Sequence, residues 1–306
     1  MLQLRRMQKQ KLVLFVGAGE IGSSLAKLVT RSGVCVEQYD TDVKKVPHQK
    51  SLEESVPKAQ VIFLCVPSWI LRTALKSIVP FLKSKTICVF VSKGIEMQTK
   101  FFIDRLAKDI LPKDQPIVLL FGPMLAEELD DHLGGAACVG TLQKKYFHVM
   151  QHLFLREDLH LTFASDIKSV AIAGVLKNVY AIALGISAGL QWGDNRKGWL
   201  CSEALQEMMF IMKVLRGNPS YILSQAGVGD FIATGMSTYS SNHSLGRELA
   251  EQTYCERKSE GCQALPTLVK MLGKASMKSL PILTAVHKIL EKKKKTKETF
   301  ETLFCG

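Results

Sequence analysis

Residues 11–40, KLVLFVGAGEIGSSLAKLVTRSGVCVEQYD, constrain the fold of this chain more tightly than any other stretch. Residues 12–16 are an unbroken apolar run, as a parallel strand buried on both faces requires. Gly17, Gly19 and Gly22 follow with the spacing G-x-G-x-x-G. The first glycine permits a tight turn, the second lets backbone approach a pyrophosphate, and the third lets a helix pack against the strand. Ile21, Leu25, Leu28 and Val29 recur at helical spacing. The glycines therefore stand at a helix N-terminus, where free N–H groups and the helix dipole favour phosphate. Residues 34–39 predict a second strand that ends at Asp40. A carboxylate there accepts hydrogen bonds from an adenosine ribose and repels a 2′-phosphate. Strand, helix, strand and acid in this order predict a dinucleotide site at Gly17, Gly19, Glu20, Ile21, Gly22 and Asp40, with NAD favoured over NADP.

The alternation continues downstream. Apolar runs at 60–66, 86–91, 117–121 and 136–139 predict further strands, and a loop is expected at 41–50. Helices are expected at 51–56, from Ser68, and from the end of the 86–91 strand through Leu106. This is the pattern of a doubly wound parallel sheet with right-handed crossovers. Near Ser165 the character changes. Residues 166–189 are one long alanine-rich run without strand alternation, and helical patterns follow at 202–215, 219–225, 244–253, 267–274 and 282–293. The expected fold is α/β: a Rossmann domain over residues 1–165, then an all-helical C-terminal domain over 166–306.

Composition narrows the function classes. No uninterrupted apolar run reaches the ~18 residues of a membrane span, so no integral membrane segment is expected. The basic start MLQLRRMQKQ leads into an apolar stretch too short for a signal peptide, which predicts an arm on an unprocessed cytoplasmic protein. The eight cysteines include no C-x-x-C pair, and Cys35, Cys65 and Cys88 sit in apolar runs as small hydrophobes. Neither a metal site nor a disulfide framework is expected. The formal charge of +12 suits nucleic acid, an anionic membrane surface or phosphorylated ligands, and much of it gathers at Lys292, Lys293, Lys294, Lys295 and Lys297. That run reads as a solvated helix end. No nucleic-acid-binding motif accompanies it, so no nucleic-acid partner is expected.

Four clusters carry candidate chemistry. Lys93, in SKGIE directly after a strand, lies at the edge where open sheets bind ligands. GPMLAEE, residues 122–128, combines a turn with acids at a helix start. Lys177 and Asn178 interrupt an apolar helix, where desolvation lowers a lysine toward the range of an acid–base catalyst; a snorkelling lysine is the alternative. In residues 226–246 Asp230 and Thr234 are one helical turn apart and Asn242 follows, a set that can orient a lysine and a polyol or simply cap turns.

The ordered set GAGEIG, VPSWILR, SKGIE, GPMLAEE, LKNVYAIA, GDNRKG, GVGDFIAT, SSNHSLG and Glu260-Gly261 resembles the NAD(P)-dependent glycerol-3-phosphate dehydrogenases, from about residue 11 to 282. The resemblance implies an enzyme that interconverts dihydroxyacetone phosphate and sn-glycerol 3-phosphate, feeding phospholipid synthesis or redox balance. It implies Lys177 as the residue exchanging a proton with the substrate C2 oxygen, Lys93 and Asp230 as its catalytic companions, and Asn178, Thr234, Ser241 and Asn242 around a small phosphorylated substrate. It further implies cofactor contacts at Pro67, Lys93, Ala126 and Glu260, and a homodimer. Two departures stand out. The family has Arg-Asn where this chain has Ser241-Asn242, and that arginine grips the substrate phosphate, so Arg196, Lys197 or Arg247 must replace it if phosphate is bound. The segment 41–60 is also abbreviated on the adenine side. Two alternatives stay open: a relative acting on another small hydroxy compound, and a catalytically weak NAD-binding protein.

Overall fold

The computed structural model describes residues 12–155, 158–253, 258–291 and 295–305. The expected N-terminal arm and Lys292, Lys293 and Lys294 of the lysine run lie outside the described residues. The chain divides into two compact units, one of Met1–Ser92 and Ile103–Ile167, the other of Lys93–Phe102 and Lys168–Gly306.

The first unit contains, in chain order, β1 (Leu12–Val16), α1 (Glu20–Arg31), β2 (Cys35–Tyr39), α2 (Leu52–Ser55), β3 (Ala59–Leu64), α3 (Leu71–Ile78), β4 (Ile87–Phe90), α4 (Ile103–Ile110), β5 (Ile117–Phe121), α5 (Ala126–Asp130), β6 (Gly135–Gly140), α6 (Lys144–Leu153) and β7 (Leu159–Ala164). The strands form one sheet in the order β2-β1-β3-β4-β5-β6-β7. Neighbours run parallel except β5 and β6, which pair antiparallel through Leu120 and Val139. The inner strands β1 and β4 are buried along their whole length and β3 and β5 nearly so, which is why these strands read as continuous apolar runs. Val13, Phe15, Phe63, Val89 and Leu120 share a core with Leu25 and Val29 of α1 and Phe147 and Met150 of α6. The alternate positions Leu14, Ile62 and Phe90 are equally buried. Phe15 and Phe63 stack across β1 and β3 with ring centroids 4.4 Å apart.

The second unit is helical: α7 (Ile167–Gly189), α8 (Asp194–Val214), α9 (Asp230–Met236), α10 (Ser241–Glu251), α11 (Glu260–Met277), α12 (Pro281–Leu290) and α13 (Thr296–Cys305). α7 is long and apolar enough to cross a membrane, a feature that the interrupting Lys177 and Asn178 hide from a search for unbroken apolar runs. Its apolar window is wholly buried, as in the central helix of a protein core. Glycines let neighbouring helices reach its backbone. A Cβ at Gly185 would meet the His243 carbonyl oxygen of α10 at 2.1 Å, and one at Gly246 would meet the Ile182 carbonyl oxygen at 2.1 Å.

Besides the antiparallel β5–β6 pair and the unexpected helix α6, three elements differ from expectation. Residues 93–102 are not helical; they loop out and close on an antiparallel bridge between Ile95 and Phe102. β7 escapes its sequence pattern because His160 and Thr162 face partly outward on an edge strand. α13 follows the lysine run and docks through Phe300 and Phe304 on Trp192.

Candidate active site

Within the first unit the glycine turn has the geometry of a phosphate cradle. Gly17 has φ +101°, and a Cβ there would meet the Cys65 carbonyl oxygen at 2.7 Å. A Cβ at Gly22 would strike the Gly17 carbonyl oxygen at 2.1 Å, so α1 can pack onto the turn only with glycine at that position. Gly19 is different: a Cβ would meet nothing within 4 Å. Gly19 N-caps α1 without a side-chain cap, so its neighbouring amides are open to an external anion. Glu20 and Ile21 form the first turn of α1 behind it.

Asp40 closes the turn. The Ala18 amide donates to its Oδ2 (2.7 Å), the Asp42 amide donates to its Oδ1 (2.9 Å), and Lys45 Nζ lies 3.7 Å from Oδ2. Gln49 clamps the Asp40 backbone: its Oε1 accepts from the Asp40 amide (2.7 Å) and its Nε2 donates to the Asp40 carbonyl (2.8 Å). Gln49 sits in a stretch that reads only as polar loop, so nothing in the sequence marks it. Pro67 lies just past β3 and Ala126 opens α5 just past β5, after strands that run parallel to β1 within the sheet. The Ala126 carbonyl accepts from Ser24 Oγ of α1 (3.2 Å). These residues fit a dinucleotide: open amides for the pyrophosphate, and a carboxylate at the end of β2 for the ribose.

The second unit brings together residues far apart in sequence. Lys177, Asn178, Asp230, Thr234 and Asn242 are each more than nine-tenths buried. Lys177 Nζ donates to Asp230 Oδ1 (3.0 Å) and to Thr234 Oγ1 (2.8 Å). Thr234 donates its own proton to Asp230 Oδ1 (3.0 Å), which leaves its lone pairs to the lysine. Lys93 Nζ pairs with the other carboxylate oxygen, Oδ2, at 3.0 Å. Asp230 thus bridges two ammonium groups. Beside them Asn242 Nδ2 donates to Asn178 Oδ1 (3.0 Å), and the Gly261 amide donates to Asn242 Oδ1 (3.0 Å). This ties α7, α10 and the start of α11 together.

The electrostatics follow from burial. Desolvation pulls Lys177 down to about 8, opposed by Asp230 and Glu260 and helped by Lys93. For Asp230 desolvation pushes up, but the ammonium groups of Lys177 and Lys93 outweigh it and hold the carboxyl below its ordinary range. A lysine has three N–H donors. Two point at Asp230 and Thr234, and the third is available to an incoming oxygen.

Ser241 is not part of this buried set. It is exposed in the first turn of α10, behind the N-cap Ser240, whose side chain accepts from the His243 amide. Of the cations proposed to replace the family arginine, Arg196 is engaged elsewhere. Its Nη1 donates to both carboxylate oxygens of Glu301 (3.0 and 3.1 Å), and its guanidinium lies over Phe304 and Trp192. Lys197 and Arg247 both bear on His243, whose pKa is lowered by burial first and then by these two charges.

Glu207 is a buried acid that sequence patterning misses, because nothing sets it apart within a helical run. It accepts from Tyr180 Oη (2.7 Å) and from the amides of Ile282 (2.7 Å) and Leu283 (3.0 Å). A carboxylate thereby caps α12 and fixes Tyr180, one turn beyond Lys177 on α7.

Residues 43–147 match the family model of the NAD-dependent glycerol-3-phosphate dehydrogenase N-terminus, and residues 166–301 match that of the C-terminus. The glycerol-3-phosphate dehydrogenase [NAD(P)+] of Bacillus subtilis is 31% identical over 326 residues, covering 96% of this chain and 94% of the relative. The chain belongs to the NAD-dependent glycerol-3-phosphate dehydrogenase family. The same-named protein of Clostridium acetobutylicum is 29% identical over 321 residues, covering 95% of this chain and 96% of its own. The solved structure of glycerol-3-phosphate dehydrogenase from Coxiella burnetii has the same fold, with a TM-score of 0.87 at 22% identity and coverage of 97% of this chain and 99% of that one. The N-terminal family model begins past the glycine turn, so for this glycerol-3-phosphate dehydrogenase relative the cradle rests on its own geometry. Among the described residues no group of His, Cys, Asp and Glu could hold a metal ion.

Proposed function

We propose that this protein catalyses the NAD-dependent interconversion of dihydroxyacetone phosphate and sn-glycerol 3-phosphate, with Lys177 as the proton donor and acceptor. The observation that carries the reading is a buried lysine whose pKa is near 8, held by Asp230 and Thr234 with one N–H to spare. Bound nicotinamide supplies or accepts the hydride at substrate C2. In reduction the Lys177 ammonium gives a proton to the C2 oxygen; in oxidation the free amine takes it back. Asp230 and Thr234 hold Nζ in place through both states, and Lys93 adds positive charge on the far side of Asp230. Asn178 and Asn242 present amide groups to the substrate hydroxyls. The reading places the protein in the cytoplasm, supported by seven described cysteines that are all free. It takes the protein to be a homodimer, which rests on the family resemblance alone.

NAD is the preferred cofactor in this reading, because Asp40 places a carboxylate where a 2′-phosphate would lie. NADH should exceed NADPH in kcat/KM by about tenfold or more, the scale of one charged contact. Asp40→Ser should narrow the gap, since Lys45 would then face the phosphate without a competing acid. A clear preference of the unaltered protein for NADPH would overturn the assignment.

The decisive assay is NADH oxidation with dihydroxyacetone phosphate against unphosphorylated dihydroxyacetone. Turnover confined to the phosphorylated ketone supports the proposal, and turnover of neither, with NADH bound, overturns it. Ser241→Arg should raise kcat/KM for the phosphorylated substrate roughly 10- to 100-fold, the worth of a charged hydrogen bond, with little change for the other ketone. If Lys197 already takes the phosphate, Lys197→Ala raises KM and Ser241→Arg adds nothing.

A further inference from the structure

At the end of α11 remote from the active site, Gly273 adopts φ +71° and breaks the helix. The break opens a groove of about 530 Å³ against α12, floored by Val269 and Met277 and the aliphatic stems of Lys270, Lys274 and Lys278, with His287 on the α12 side. The groove surface is almost wholly apolar, yet all three lysines are exposed at its rim. The surrounding sequence has the same sign. From residue 262 to 297 there are nine lysines and a single acid, Glu291, which pairs with His287 at 3.4 Å. We propose that the α11–α12 groove docks this protein onto a membrane surface that carries anionic phospholipid.

The occupant is fixed by the combination of charge and floor. Lysine ammonium groups bind any polyanion, but an apolar floor beneath them calls for a partner that is anionic at the rim and hydrocarbon below. That is the boundary between headgroups and acyl chains, where lysine stems lie in the apolar layer and their heads stay among the phosphates. A nucleic acid would gain nothing from the floor, and no Phe, Tyr or Trp lines the groove as a platform for stacked bases. Gly261, at the start of α11, touches the buried asparagine pair, and the groove begins at Val269, roughly 12 Å farther along the helix at 1.5 Å per residue. Docking there leaves the Lys177 site open.

The test is co-sedimentation of the full chain with phosphatidylcholine vesicles, with and without phosphatidylglycerol. Binding should require phosphatidylglycerol and fall steeply as salt rises. Each of Lys270, Lys274 and Lys278 changed to glutamine should weaken it about fivefold, and the triple change to glutamate should reduce it to the level of neutral vesicles. Met277→Gln should weaken binding at unchanged charge. Thermal melting by circular dichroism checks that each variant is folded, and the single glutamine variants serve if the triple glutamate variant is not. The proposal is overturned by equal binding to neutral vesicles or by no binding to anionic ones. It is equally overturned if Met277→Gln has no effect, if only changes in the run from Lys292 to Lys295 matter, or if heparin binds while vesicles do not.

Discussion

Lys177→Met should lower kcat at least ~100-fold while leaving NADH affinity nearly unchanged, since removing an acid–base group costs 10²–10⁴. Methionine fills the volume of the lysine stem, so the apolar packing of α7 survives. Stopped-flow binding of NADH alongside steady-state turnover separates the two effects. The same side chain sets the pH profile. With its pKa lowered to about 8, Lys177 is mostly ammonium at neutral pH. Ketone reduction needs the ammonium, so kcat/KM for reduction should fall as pH rises through about 8, whereas oxidation needs the free amine and should rise through the same range. A variant with near-normal turnover, or opposite limbs, would mean that Lys177 is a packing residue and the proton comes from elsewhere.

Asp230→Asn should shift the reduction limb acidward and lower the thermal midpoint by roughly 10 °C. The substitution keeps the shape but removes the one charge that bridges Lys177 and Lys93. Two ammonium groups are then left in a desolvated site, and breaking a buried pair by removing one partner costs about 3–5 kcal/mol. Without the carboxylate the burial of Lys177 is opposed chiefly by Glu260, so its pKa falls further. The pH dependence of stability carries a sign of its own. The folded-state pKa of Asp230 is lowered, so the stability it contributes is present above its unfolded value and is lost as pH falls through the folded one. The asparagine variant should therefore lack that acid-side loss. An unchanged pH–rate profile would show that Asp230 does not govern Lys177.

The buried lysine and its partners were legible because each breaks a local rule. A lysine inside an alanine-rich helix and a turn-spaced Asp-Thr pair are costly unless they meet. The glycine turn was legible for the opposite reason, since every residue from Leu12 to Asp40 agrees with one local geometry. What stayed hidden depends on distant partners. Residues 93–102 look like a connection to the next helix, and only the bridge between Ile95 and Phe102, with Lys93 meeting Asp230, shows otherwise. Glu207 is an ordinary helical glutamate until Tyr180 and the start of α12 reach it. Arg196 looked free to bind phosphate, and α13, which holds it, follows a lysine run whose charge masked its Phe300 and Phe304.

The complete burial of α7 also bears on how the helical unit assembles and comes apart. A helix this apolar has no solvent face to rest on, so it gains little by forming before its neighbours close over it. The unit must therefore gain and lose its structure in one cooperative step. Any partly open form would display a surface that invites self-association. The amide hydrogens of α7 then exchange with solvent only through that rare global opening, while frayed outer helices exchange by local events. Lys177, the proposed proton donor and acceptor, sits at the middle of the segment that opens last.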